Sequence, residues 1–299
     1  MKLFQKQKIG NNRIISFLGL KIKYRVGRNY KFEKVTTSGI TKEKRTPQII
    51  VSLTSFPARI PFLHKTITSL LNQSMKPDML ILWLAEEQFP NKEKDLTPEL
   101  LDLKQYGLTI QWCNDIRPYK KLVPTIKNYP NDIIITVDDD IYYDKKMVEL
   151  LYNAYQKSPQ YIHCHRCTKI FYKNGEIKAK GGGKKYYKKP SFANKLVGVG
   201  GVLYPPQSLY KDITNKELFM ELAPTNDDIW FWLMAVLNGT KINVIKNNIP
   251  DPAELDETMQ GPCLTHINDH GDNLFYKQLK NVLYHYEGLE DKIKQDLKS

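Results

Sequence analysis

No run of 18 or more apolar residues occurs in this chain of 299 residues, which excludes a membrane-spanning helix. Cysteine is scarce: Cys113, Cys164, Cys167 and Cys263 are too few for a disulfide framework at this length, so free thiols are expected. There is no internal repeat and no long low-complexity segment. The N-terminal stretch MKLFQKQKIGNNRIISFLGLKIKYR lacks the uninterrupted apolar core and small-residue cleavage site of a signal peptide, and a cytoplasmic protein is the expectation. What is present suffices for a sizeable core: 41% of residues are hydrophobic and 26% charged, enough for one large α/β domain or two smaller ones.

Negative charge is nearly missing from the N-terminus. Residues 1–45 hold thirteen Lys/Arg and two Glu, a net of +11, within a chain whose total is +13. The basic character therefore belongs to an arm, and the remainder is close to neutral. Such an arm can meet nucleic acid, anionic lipid or an acidic acceptor. In IISFLGLKIKY, apolar residues interleave with lysines, which suits the inner face of a membrane, where each Lys/Arg contributes on the order of 1 kcal/mol. A short hairpin with a solvated charged face accounts for the same pattern.

From Pro47 onward the pattern is β-α alternation. QIIVSLTSF (48–56), MLILWLA (79–85), LTIQWC (108–113) and DIIITV (132–137) read as buried strands. Helices are expected after Pro57 and Pro61, over 97–107 with Thr97 as N-cap and Gly107 beyond the end, and over 145–157, with a short broken helix at KLVPTIKNY. Such alternation gives a parallel sheet covered by helices on both faces, and ligands bind at the carboxyl edge of such sheets. Further on, Asn174-Gly175 signals a hairpin. VGVGGVLYPP (197–206) reads as a strand, NDDIWFWLMAVLNGTK (226–241) as a helix, and 272–286 as the last helix. The second half reads as an extension of the same sheet.

Three constellations carry chemistry. In IIITVDDDIYY, five strand residues run into Asp138, Asp139 and Asp140 at the carboxyl edge. Burying three carboxylates drives them toward neutrality unless a cation faces them, and a hard divalent ion can bridge carboxylates to a diphosphate. If the strand continues, Asp138 and Asp140 lie on one side and Asp139 points away, toward a ribose or backbone amides. In DIRPYKKLVPT, Asp115 follows the third strand, and Lys120 or Lys121 can reach a diphosphate as a point charge; a solvated loop explains either lysine taken alone. In PTNDDIW, Thr225 or Asn226 can cap a helix, with Asp227 and Asp228 in its first turn. Capping explains one acid; a carboxylate beside Ile229 and Trp230 can also act as general base toward a hydroxyl.

Taken in order, SLTSFPARI, DIRPYKKL, DDDIYY, GVGGVLYPP and NDDIWFW resemble a bacterial glycosyltransferase of the GT-A type, over roughly residues 48–275. The resemblance implies a Rossmann-like α/β fold, with a basic arm over 1–46 and a single transferase domain over 47–299. It implies a nucleotide-diphosphate sugar as donor, with Mn²⁺ or Mg²⁺ held by Asp138 and Asp140 and a late histidine, His266 or else His270, in the metal shell. It implies nucleotide contacts from Thr54, Ser55, Arg59, Asp115 and Lys121, with Asp139 beside them. It implies a catalytic base from the pair Asp227–Asp228, with inversion at the anomeric carbon; the family's Glu-Asp is here Asp-Asp, which leaves open which acid is the base. The acceptor is then a hydroxyl of a growing surface glycan or glycolipid, at the inner membrane surface. Other readings are a nucleotidyltransferase making a nucleotide sugar, which would want a Gly-rich basic loop after the first strand, and a nucleic-acid-binding protein using the arm. The globule is nearly neutral, so nucleic acid is not the expected partner. Cys164, Cys167, Cys263 and His266 also have the residue types of a zinc site, with no spacing between the pairs to support it.

Overall fold

The computed structural model describes residues 4–9, 12–17, 20–25, 30–181, 189–246, 248–255 and 274–298. The N-terminal segment forms an antiparallel meander of three strands, β1 (Phe4–Ile9), β2 (Asn12–Phe17) and β3 (Leu20–Arg25). The register sets Ile15 against Ile22, while Leu20 and Ile22 stay 68% and 55% exposed. Residues 30–46 already pack on the globule, earlier than the boundary at Pro47. Val35 is buried in an apolar cluster with the first helix, the Gly39 amide donates to the Tyr106 carbonyl at 2.7 Å, and Arg45 pairs with Asp78 at 3.1 Å.

Four apolar runs form the parallel half of the main sheet: β4 (Ile49–Thr54), β5 (Met79–Ala85), β6 (Leu108–Cys113) and β7 (Ile133–Thr136). Helix α1 (Ile60–Leu71) follows β4. The helix expected over 97–107 is one α-turn, α2 (Pro98–Leu101), tightening into a 3₁₀ segment that Gly107 ends at φ 114°. Thr97 precedes it, but its hydroxyl caps nothing. Helix α3 (Val123–Asn128) is the short helix before β7. A two-residue strand, β8 (Ile141–Tyr142), leads to α4 (Met147–Lys157).

The second half extends the same sheet. Strand β9 (Ile162–Cys164) is followed by the hairpin β10 (Cys167–Lys173) and β11 (Glu176–Lys180). Asn174 and Gly175 turn that hairpin at φ 54° and 77°, the left-handed pair that an Asn-Gly turn requires. Strand β12 (Asn194–Leu196) pairs with β10 outside the main sheet. In 197–206 only β13 (Val202–Tyr204) is a strand, because Gly198–Gly200 coil into a 3₁₀ turn. Helices α5 (Lys216–Leu222) and α6 (Asp227–Leu237), strands β14 (Ile242–Val244) and β15 (Ala253–Glu254), and helices α7 (Leu274–His285) and α8 (Leu289–Lys298) complete the described chain.

The seven-stranded order is β14-β9-β13-β7-β4-β5-β6, parallel except for β13, which runs antiparallel to both neighbours. This is the mostly parallel, helix-flanked α/β sheet that the sequence implied. Ile133 and Ile135 pack with α1 and α4 on one face, and Ile134 packs with α6 and α7 on the other. Helix α6 is apolar all round and buried from Ile229 to Val236, which places its N-terminus inside the protein. The buried indoles of Trp230 and Trp232 donate to the Ile213 and Phe192 carbonyls, so the helix is fixed in rotation as well as depth. No helix among the described residues is long and apolar enough to cross a membrane.

Candidate active site

Strands β4 and β7 are neighbours, with Ser52 in register with Thr136, so the chain beyond both emerges side by side at the carboxyl edge. The β7 strand stops at Thr136, and the three aspartates lie on the turn that follows. The expected alternation of side chains is therefore lost. Asp139 and Asp140 share the Arg59 guanidinium, Asp140 at 2.8 Å, while Asp138 faces the Lys121 ammonium at 2.8 Å. Exposure nevertheless separates the outer pair from the middle residue: 29% for Asp138 and 25% for Asp140, against 10% for Asp139. Asp139 is held by groups of the protein itself. It accepts from Ser55 Oγ at 2.6 Å, and its carbonyl accepts from the Thr66 hydroxyl at 2.9 Å.

Lys121 joins this turn to the second acidic pair. Its ammonium lies 2.8 Å from Asp138 and 2.8 Å from Asp227. Burial alone would lower its pKa, but the charges of Asp138, Asp227 and Asp228 win and hold it well above the ordinary lysine value. Two further contacts tie the Lys121 loop to the start of α6: the Tyr119 hydroxyl donates to the Ala223 carbonyl, and the Tyr119 ring stacks on Phe219 at 4.0 Å. Asn226 is the N-cap of α6, accepting from the Ile229 amide at 3.2 Å.

Asp228 has different surroundings from Asp227. Its two carboxylate oxygens accept from the Gly198 amide at 3.2 and 3.3 Å, and the buried Lys195 ammonium stands 3.8 Å away. Burial pushes the Asp228 carboxyl up to about 6, against the pull of Lys195. Burial also raises Asp140, to about 7, with the Asp139 charge adding and Arg59 opposing. Lys195 and Gly198 were not foreseen. The visible signal was a single lysine inside the apolar run ANKLVGVGG, since a buried lysine requires a carboxylate.

Space at Gly198 is tight. A β-carbon there would stand 2.9 Å from Lys121 Nζ and 3.0 Å from an Asp138 oxygen. Gly198→Ala is expected to lower stability by about 1–3 kcal/mol through overpacking. Urea denaturation measures it, and an unchanged midpoint would show that Lys121 can move aside at no cost.

The remaining expected residues are spread along the edge. Thr54 Oγ1 donates to the Trp83 carbonyl at 2.8 Å within the sheet. Asp115 is clasped by the Lys120 ammonium, by the Arg117 amide at 2.8 Å and by Gln88 Nε2 at 3.1 Å. Burial would raise its pKa, but Lys120 and the Arg117 amide hold it below the usual value. Ser55, Arg59 and Lys121 are thus engaged with aspartates in this structure. His266, His270, Cys263 and the basic loop 182–188 lie outside the described residues. Cys164 and Cys167 are buried and form no disulfide, and the intervening His165 is taken up by Asn248 at 2.6 Å and the Met147 carbonyl at 3.1 Å.

Asp138, Asp139, Asp140, Asp227 and Asp228 face Arg59, Lys121 and Lys195, so five carboxylates meet three cations. The excess equals the charge of one divalent ion. Asp138 and Asp140 are partly exposed oxygen donors of the kind Mn²⁺ and Mg²⁺ take. Among the described residues no three His, Cys, Asp or Glu side chains converge as a ready-made ligand set. Asp138 and Asp140 are the residues that could hold such an ion, and the rest of its ligands would have to come from outside this group, as water commonly does for Mg²⁺.

No family model matches the sequence, and no curated protein matches it. Among solved structures, S. aureus TarS 1–349 is similar at 14% identity over 81% of this chain and 73% of that one, with a TM-score of 0.47. The same fragment in complex with UDP gives 14% identity, the same coverage and a TM-score of 0.45. A CMP:2-keto-3-deoxy-manno-octonic acid synthetase complexed with CTP gives 13% identity over 71% of this chain and 93% of that one, with a TM-score of 0.42. The strand order described above, and not these likenesses, defines the fold.

Proposed function

We propose that the protein is a metal-dependent glycosyltransferase that moves a sugar from a nucleotide-diphosphate sugar to a hydroxyl of a growing bacterial surface glycan, with inversion. The observation that carries this reading is the joining of two acidic pairs through one buried lysine: Asp138–Lys121–Asp227, with Asp140 and Asp228 as the partly exposed acid beside each. One carboxylate group is suited to a diphosphate with its cation, the other to a hydroxyl.

Glycosyl transfer needs these two functions side by side. Asp138 and Asp140 would hold the divalent ion, which neutralises charge on the diphosphate leaving group. Asp228 takes the proton from the acceptor hydroxyl as that oxygen attacks the anomeric carbon and the bond to the diphosphate breaks. Gly198 N–H and Lys195 orient its carboxylate, and Asp227 anchors the start of α6 through Lys121. Arg59 and Ser55 hold Asp139, which fixes the turn carrying the metal ligands.

A screen of nucleotide sugars for hydrolysis and binding, with and without Mn²⁺, tests the reading. Metal-stimulated cleavage of one donor is expected. Release of pyrophosphate from a nucleoside triphosphate and a sugar phosphate would assign a nucleotidyltransferase instead.

An acceptor of that class would bring the enzyme to an anionic inner membrane surface. Residues 1–29 hold eight Lys/Arg and no acid, and Leu20 and Ile22 are exposed on the meander. Deleting residues 1–29 is expected to leave the globule folded and to weaken sedimentation with anionic vesicles at least tenfold at low salt. The cut stops before Tyr30 because residues 30–46 belong to the packed globule. Unchanged sedimentation would give the meander another role.

A further inference from the structure

A cavity of about 460 Å³ lies behind the acidic turn, away from Lys121, and the proposed reaction makes no use of it. Tyr143 both lines this cavity and reaches the acidic turn. That ring is buried, its hydroxyl accepts from the Asp138 amide at 2.8 Å, and its own amide donates to Ser69 Oγ at 2.9 Å. The floor is held at the other end by β8 and β15, which pair antiparallel, and by the Leu255 amide donating to the Asp140 carbonyl at 2.9 Å. None of Arg59, Lys121, Asp138 or Asp228 lines it.

The walls are aromatic and polar together. Tyr30 and Tyr142 stack at 4.4 Å with 14° between their planes, and both line the cavity. The Tyr142 hydroxyl accepts from the Glu33 amide at 3.0 Å, so the pair is fixed to the segment that enters the globule. Lys31, Glu33, Asn72 and Lys145 also line the space and offer both donors and acceptors. The volume lies within the roughly 300–1,000 Å³ of small-molecule sites. A lipid tail is disfavoured by the charged rim. A pyranose has what these walls accept: a C–H face for an aromatic ring, whose own face is negative, and hydroxyls around its edge.

We propose that this cavity is a second carbohydrate-binding subsite, holding a unit of the acceptor glycan remote from the hydroxyl that reacts; the link to the acceptor rests on the glycosyl-transfer reading. Holding a remote unit makes delivery of the reacting end intramolecular. A glycan that spans both sites then has an effective concentration in the millimolar range.

The test is glycan binding without donor. The full-length protein is applied to an array of bacterial surface polysaccharides and their oligosaccharide fragments, with no nucleotide sugar and no metal. Capture of at least one glycan by the wild type is expected. Tyr142→Ala should lower it tenfold or more, and Asn72→Ala should lower it less. Asn72→Ala keeps both rings of the stacked pair and removes a rim amide that also donates to the Glu33 carbonyl at 2.8 Å, so it reports on the cavity even if Tyr142→Ala is unstable. No capture, or capture equal in the Tyr142 and Asn72 variants and the wild type, would overturn the subsite while leaving donor cleavage to be judged separately. So would capture that is displaced by free nucleotides in a Tyr142-dependent way, which would make the cavity a nucleobase pocket.

Discussion

Asp228→Asn is expected to reduce turnover by about 10²–10⁴ while donor affinity stays unchanged, because it removes a group needed mainly in the transition state. The ranking of the two acids follows from their surroundings. Asp227 is ion-paired to a buried ammonium at 2.8 Å and is committed to structure. Asp228 has the Gly198 amide and a more distant Lys195, keeps 19% of its side chain exposed, and is pushed by burial to about 6. A base must be ionised to accept a proton, so kcat/KM should rise with pH through about 6 and then level; the asparagine variant should lack that limb. The stability effect has the opposite sign to the usual carboxylate. A carboxyl whose folded pKa lies above its unfolded one opposes folding once ionised, and stability falls as pH rises from about 4 to about 6. Asp228→Asn should therefore lack that fall between pH 4 and pH 6, set against a cost from taking this carboxylate away from the buried Lys195. Asp227→Asn should lower turnover less and weaken the anchoring of α6. The reverse order of turnover would transfer the base to Asp227, and a product retaining the donor's anomeric configuration would remove the need for either.

Much of the scaffold was legible because it is written in local signals. The four parallel strands are continuous apolar runs, the β10–β11 turn is an Asn-Gly pair, and the N-cap of α6 is an asparagine ahead of two acids. The same locality hid the geometry of the site. The alternation assumed for Asp138–Asp140 needs an unbroken strand, but β7 ends at Thr136 to let Asp139 turn inward onto Arg59 and Ser55. No spacing rule reports that Lys121 lies between Asp138 and Asp227, because the contact joins segments distant in the chain. The glycines of GVGG suggested close backbone approach. What approaches is the Lys121 ammonium and Asp138, and the cost is that Gly198–Gly200 coil and leave the ladder. The thirteen residues after 286 carried no expectation, yet α8 seats Leu289 and Ile293 in the core beside α6.

Asp140→Ala is expected to abolish metal-dependent donor binding without unfolding the protein. As one of two partly exposed carboxylates on the acidic turn, Asp140 should matter at least as much as the outer-shell partners whose loss costs about 10–100-fold in metal affinity. Its removal also relieves strain in the metal-free protein. Burial and the Asp139 charge lift Asp140 to about 7, so its ionisation opposes folding between about pH 4 and pH 7. Arg59 keeps Asp139 as a partner in the variant. The variant should therefore match or exceed the wild type in thermal stability at pH 8 without metal. Adding Mn²⁺ with the cognate nucleotide should reverse that order, since a ligand at 100 times its Kd stabilises by about 2.7 kcal/mol and only the wild type binds it. A variant whose donor binding kept the wild-type Mn²⁺ dependence would remove Asp140 from the metal site. A wild type indifferent to Mn²⁺ and Mg²⁺ would mean that Arg59 and Lys121 supply all the positive charge the diphosphate meets, with Asp138, Asp139, Asp140 and Asp227 serving to hold those two cations in place.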